Sequence, residues 1–186
     1  TGQVDRTPGN AQTGNRLDKI GLGKLVFAGN STLTANVVGA PNVTGTLELD
    51  NRLTNVLDRI PNACVMWMYS GTLSFLGGDG VASSETVGFA DAGTGGANTI
   101  QSINGVGGTA ALTLSVGLGN RSGGDGYATY CVSNGGTGDN LGSAGNRVLL
   151  SRAAGRMAGY VTARDGTTFN VAGTDYTPGA DFAYYH

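Results

Sequence analysis

A chain of 186 residues with 34 glycines, 4 prolines and 13% charged residues is long enough to bury one real core. Its low charge and scarce proline exclude a highly charged disordered chain and a collagen pattern. The formal charge of −2, with Lys19 and Lys24 as the two lysines, gives nucleic acid no electrostatic footing, and no apolar run approaches the roughly 18 residues that cross a bilayer.

Thr1 to Asp18 carries only Val4 and Leu17 as sizeable apolar side chains, too few to pack by themselves, and is read as a polar arm tied down either by the chain's own body or by a neighbouring molecule. The stretch to Ile20 has no leader-like apolar region, so the chain is expected to begin after processing or to be a fragment. A short alternating segment follows, Gly23-Lys24-Leu25-Val26-Phe27, echoed as Gly45-Thr46-Leu47-Glu48-Leu49 and Gly71-Thr72-Leu73-Ser74-Phe75. Side chains in a strand alternate with period 2, so the Leu and Phe of each copy share a face. A unit of this size cannot bury that face alone, and stacked copies predict an all-β chain: a β-solenoid over 19–158, with a β-sandwich as the alternative.

Between the second and third copies, Leu53, Val56, Leu57 and Ile60 fall at i, i+3, i+4 and i+7, with Asp50 or Asn51 able to cap and Pro61 to stop, which predicts a short helix over 51–60. Val65–Leu76 reads as a strand with Trp67 buried. Further strands are expected at 86–89, 99–103, 111–116, 127–132 and 148–150, and glycine-rich loops at 77–80, 117–126 and 135–145. In 159–186, two alternating runs, 160–164 and 167–171, flank Asp165-Gly166, the strongest short hairpin signal, and 182–185 adds an aromatic terminal strand.

The Gly-Thr-Leu-x-Phe strands, the run from Arg52 to Ala63 leading into Ser70-Gly71-Thr72-Leu73-Ser74-Phe75-Leu76-Gly77, and Ser83-Ser84-Glu85-Thr86-Val87-Gly88 resemble the autotransporter-associated β-strand repeat proteins of bacteria. The resemblance covers about residues 18–172 and includes Leu149-Leu150-Ser151-Arg152-Ala153-Ala154-Gly155. It implies a right-handed parallel β-helix, export to the cell surface or beyond, and no enzymatic activity. It supplies no catalytic residues, and this chain carries no membrane barrel of the kind found in long members.

Little else in the chain points to chemistry. His186, the sole histidine, is the last residue, which leaves no Ser-His-Asp or Cys-His arrangement and no histidine-based zinc site. Carboxylate pairs are the remaining route to polysaccharide cleavage, the third reading, from Glu48 and Asp50 on one strand face, Asp79 and Asp125 in Gly-Gly-Asp-Gly loops, and isolated Asp58, Glu85 and Asp91. Those loops lack the tandem spacing of calcium repeats, so no metal, cofactor or catalytic residue is assigned.

Cys64 and Cys131 form either one long-loop disulfide or two buried thiols. Asn30, Asn42 and Asn120 head Asn-x-Ser/Thr triplets that permit glycans. The expectation is an extracellular or surface protein of bacterial type, non-enzymatic, assembling with copies of itself through Val4, Leu17, Phe182, Tyr184 and Tyr185. The alternative is a sugar-binding adhesin stacking Tyr127, Tyr130, Tyr184 or Tyr185 on glycan rings.

Overall fold

The computed structural model describes residues 19–32, 42–62, 64–91, 96–115, 129–150, 155–156, 161–164 and 184–185. The arm 1–18 lies outside them. In chain order the strands are β1 (Lys24–Phe27), β2 (Asn42–Asp50), β3 (Val65–Leu76), β4 (Ala82–Val87), β5 (Phe89–Asp91), β6 (Ala97–Ile103), β7 (Thr109–Leu114), β8 (Thr129–Ser133), β9 (Asn146–Leu150), β10 (Gly155–Arg156), β11 (Val161–Arg164) and β12 (Tyr184–Tyr185). Among the described residues there is no helix.

These strands correct the expected architecture. A right-handed parallel β-helix with an antiparallel hairpin, or a β-sandwich, is not what they make. They form a seven-stranded parallel sheet in the order β1-β2-β3-β6-β8-β11, with β5 also on β3, a separate three-stranded parallel sheet β4-β7-β9, and an antiparallel pair β10-β12. The glycine-led copies report something narrower than a coil, namely register. Leu25 lies beside Leu47, Leu47 beside Leu73, Leu73 beside Ile100 and Ile100 beside Val132. Parallel neighbours cannot be joined by a tight turn, and here the chain leaves the larger sheet for the smaller one between β3 and β6 and again between β6 and β8.

One apolar cluster joins the two sheets. Leu47, Leu49, Leu73, Phe75 and Ile100 from the larger sheet and Val87, Leu112 and Leu114 from the smaller are fully buried within it. The central strand β3 is covered on both faces, so Leu73, Ser74, Phe75 and Leu76 are all buried, as parallel sheets require. Trp67, expected inside, is 38% exposed. An extra residue in β3 explains the change of phase. Val43 pairs with Met68 but Gly45 with Gly71, and Ser70 takes up the slack at φ +56°, so β3 bulges there. Gly71 sits where any Cβ would meet the Val43 carbonyl, which closes the bulge tightly onto β2.

A further expectation is corrected. Residues 51–60 form an irregular segment rather than a helix, with Leu53 and Leu57 exposed and Asn51 and Arg59 buried in their place. At the C-terminal end, β11 finds a parallel partner in β8, Val161 beside Tyr130 and Arg164 beside Ser133. The turn and second run of the expected hairpin, 165–171, lie outside the described residues.

Candidate functional site

Two features of the fold are built from more than packing. The first is the polar mesh that replaces the expected helix. Arg59, 0% exposed, spreads its guanidinium over four acceptors: Nε donates to Asn51 Oδ1 at 2.6 Å, Nη1 to Ser31 O at 2.9 Å, and Nη2 to Asp50 O and Thr54 O at 2.8 Å each. Asn51 in turn donates through Nδ2 to Val56 O at 2.9 Å. A segment without helical hydrogen bonds must satisfy its buried carbonyls somehow, and one planar, always-charged donor does it here. Burial lowers the Arg59 pKa from its ordinary value, while Glu85 and Asp50 oppose that.

The same segment lies along β4, the margin of the smaller sheet, and is tied to it mainly by side chains. Asn55 Nδ2 donates to Ala82 O at 2.8 Å, and Ser83 Oγ donates to Asn55 Oδ1 at 2.9 Å. Glu85 accepts the backbone N–H of Arg59 at 2.9 Å on Oε2 and that of Ile60 at 3.1 Å on Oε1. With its amide oriented to donate, Asn62 reaches Thr86 O at 3.2 Å and Asp58 Oδ1 at 3.1 Å. Glu85, 1% exposed, stands in register with Leu112, which stands in register with Val148. Desolvation in that row pushes its carboxyl up to about 7 against the two amide bonds, which pull it down.

The second feature is the margin of the larger sheet at β1. Lys19, buried, donates its ammonium to the carbonyls of Ile20 at 3.2 Å, Gly21 at 2.6 Å and Thr44 at 2.8 Å, which folds residues 19–23 down on β2. Gly45 makes room for this. It holds φ +80°, and a Cβ there would collide with the Gly21 and Gly23 carbonyls. Thr46 N donates to Gly23 O at 3.2 Å, so the peptides of Gly23 and Leu25 face β2 and those of Lys24 and Val26 face away from it. Among the described residues, no strand takes that outer side. Leu25 and Phe27 are only partly buried where the in-register Leu47 and Leu49 are fully so, and Val26, Ile20 and Leu22 (94%) are exposed.

The residues singled out by sequence fall as follows. Val4, Leu17, Phe182, Asn120, Tyr127, Asp125 and His186 lie outside the described residues. Tyr184 and Tyr185 pair with Arg156 and Gly155. Tyr130 is buried in the core, which removes it from sugar stacking. Cys64 and Cys131 are both thiols; Cys131 lies beside Thr99 on the larger sheet, and burial pushes the Cys64 thiol up to about 11. Asn30 is exposed in the Gly29-Asn30 turn, and Asn42 opens β2.

The carboxylates proposed for catalysis are engaged elsewhere. Glu48 Oε2 is 2.6 Å from Lys24 Nζ, and Asp50 is held by Arg52 Nε and Nη2 at 2.9 and 2.7 Å, which keeps its pKa below the ordinary value. Asp79 accepts the Val106 N–H at 2.8 Å. Asp139 and Asn104 bond reciprocally, at 2.7 and 2.9 Å, and tie the loop that precedes β9 to the end of β6.

Sequence reading missed the Arg59–Asn51 mesh and the buried Glu85. The parity of β4 carries a signal for the latter, because Ser83, Glu85 and Val87 share the face on which Val87 is buried. Compared with known proteins, the chain matches no family model, no curated protein and no solved structure.

Proposed function

We propose that the chain is an extracellular or cell-surface, non-enzymatic structural protein that joins copies of itself edge to edge into a filament or surface fibre. The observation that carries this reading is the margin at β1. Backbone N–H and C=O groups of Lys24 and Val26 point outward there, beside a half-covered apolar row of Leu25 and Phe27 that continues Leu47 and Leu49. Such a margin is a template for another strand, and full cover of a Leu or Phe side chain contributes about 1.5–3 kcal/mol.

The strand suited to it belongs to a second copy. Among the described residues β11 forms the opposite margin of the same sheet, and the intervening pairs are all parallel, so β11 of one copy added beside β1 of the next would preserve strand direction. A contact between two different margins that does not close into a ring grows into a fibre. The location outside the cell follows from the resemblance to exported repeat proteins. The adhesin reading is the weaker one, since Tyr130 is enclosed in the core.

The test is sedimentation velocity and negative-stain electron microscopy of the chain and of Val26→Pro. Proline deletes an outward N–H without touching the β1–β2 ladder. Concentration-dependent polymers in the parent chain, lost in the variant, are expected. A parent chain that stays monomeric at every concentration overturns self-assembly, and polymers indifferent to Val26→Pro overturn the β1 margin as their joint.

A further inference from the structure

We propose that residues 51–62 are a detachable cover over the outer side of β4, and that the proton on Glu85 sets how tightly the cover is held. The geometry is that of a clamp and not of a strand pair. The described ties of this segment to β4 run through the side chains of Asn55, Ser83, Glu85 and Asn62, and Glu85 alone grips two consecutive amides, those of Arg59 and Ile60. A continuous ladder opens only strand by strand, whereas this attachment is made by a few side chains and the buried Ile60, and among them Glu85, standing in a row with Leu112 and Val148, is the one carboxyl group that holds backbone amides.

The groups that face Glu85 decide the sign. Asp58, on the cover, raises its pKa; the Arg59 guanidinium lowers it and itself donates to the Asp50 carbonyl. From the sheet side, β7 contributes no ionisable residue, and Arg147 on β9 is exposed. The buried Cys64 thiol stays neutral to about 11. Desolvation therefore dominates. With the cover closed the carboxyl titrates near 7, and with the cover lifted it meets water and returns towards 4.5.

Between those two values the closed form holds a proton that the open form releases. Opening thus becomes easier as pH rises from 4.5 to 7, and levels off above that. Protonation tightens the cover even though it spends one acceptor oxygen, because the unsolvated negative charge costs more than that bond returns. The span from 4.5 to 7 corresponds to a change in the opening equilibrium on the order of 100-fold.

Amide hydrogen exchange of Arg59 and Ile60 between pH 5 and 8, corrected for the intrinsic rate at each pH, reads the opening directly. The expected result is protection that falls on the order of 100-fold across the range. The amides of β7 should remain better protected throughout, which separates lifting of the cover from global unfolding. Glu85→Gln should make the profile flat. Protection that is constant or rises with pH, or a Glu85→Gln profile as steep as the parent's, overturns the proposal. Should Glu85→Gln fail to fold, carbon-13 titration of the Glu85 carboxyl in the parent chain decides instead: a midpoint near 7 supports it and one below 5 overturns it.

Discussion

Arg59→Met removes the guanidinium while keeping most of the side chain's bulk, and so isolates what the mesh contributes. Four acceptors lose their donor: Asn51 Oδ1 and the carbonyls of Ser31, Asp50 and Thr54. Hydrogen bonds to a charged group are each worth about 1.5–3 kcal/mol, a gross loss on the order of 10 kcal/mol. Against that stands relief from burying the cation itself, worth several kcal/mol. The net expectation is a loss of about 3–5 kcal/mol, a third or more of the roughly 5–15 kcal/mol that holds most domains folded.

Urea unfolding followed by circular dichroism measures this loss. With a slope of about 2 kcal/mol per molar, the midpoint should fall by roughly 2 M. Arg59→Lys should fall between parent and Met, since an ammonium keeps the charge but cannot reach acceptors spread around a plane. A Met variant within about 1 kcal/mol of the parent would show that water or neighbouring amides replace the guanidinium, and the reasoning would fail.

Leu73→Ala empties a fully buried position between Leu47 and Ile100 and should cost about 2–5 kcal/mol, read by calorimetry or urea unfolding. The Cys64 thiol, buried and pushed up to about 11, should resist Ellman's reagent at pH 8 in the native chain and react at once in denaturant.

How much could be read in advance depends on the kind of information each residue carries. The Gly-x-Leu rows were legible because period 2 assigns faces and a repeated phrase assigns neighbours, so Leu25, Leu47 and Leu73 were placed side by side. Nothing in that pattern says how successive strands are divided between sheets, which is why the coil expected from it is not the arrangement found. The helix expected over 51–60 failed for a different reason. Leu53 and Leu57 carry the right spacing, but Arg59 and Asn51 offer the backbone stronger partners than its own amides, and propensity yields to that. Asp165-Gly166 is a local signal and says nothing of the distant parallel partner that β11 finds in β8. Glu85 was read as an isolated carboxylate, its burial missed, because the strand was begun at Thr86, one residue too late to see its parity with Val87.

The bulge at Ser70 has a consequence for the chain's tolerance of change. By adding one residue to β3 against β2, it rephases everything upstream of Gly71 relative to everything after it. Deleting Ser70 alone would remove the bulge and leave one unbroken alternation in which Met66 and Met68 stay enclosed with Leu73 and Phe75, whereas one more residue inserted there would turn Met66 and Met68 towards solvent and carry Trp67 inward. The same insertion inside a loop would merely lengthen it. Length at this one place is therefore written into which half of β3 is greasy, and the segment should tolerate loss of its extra residue far better than gain of another.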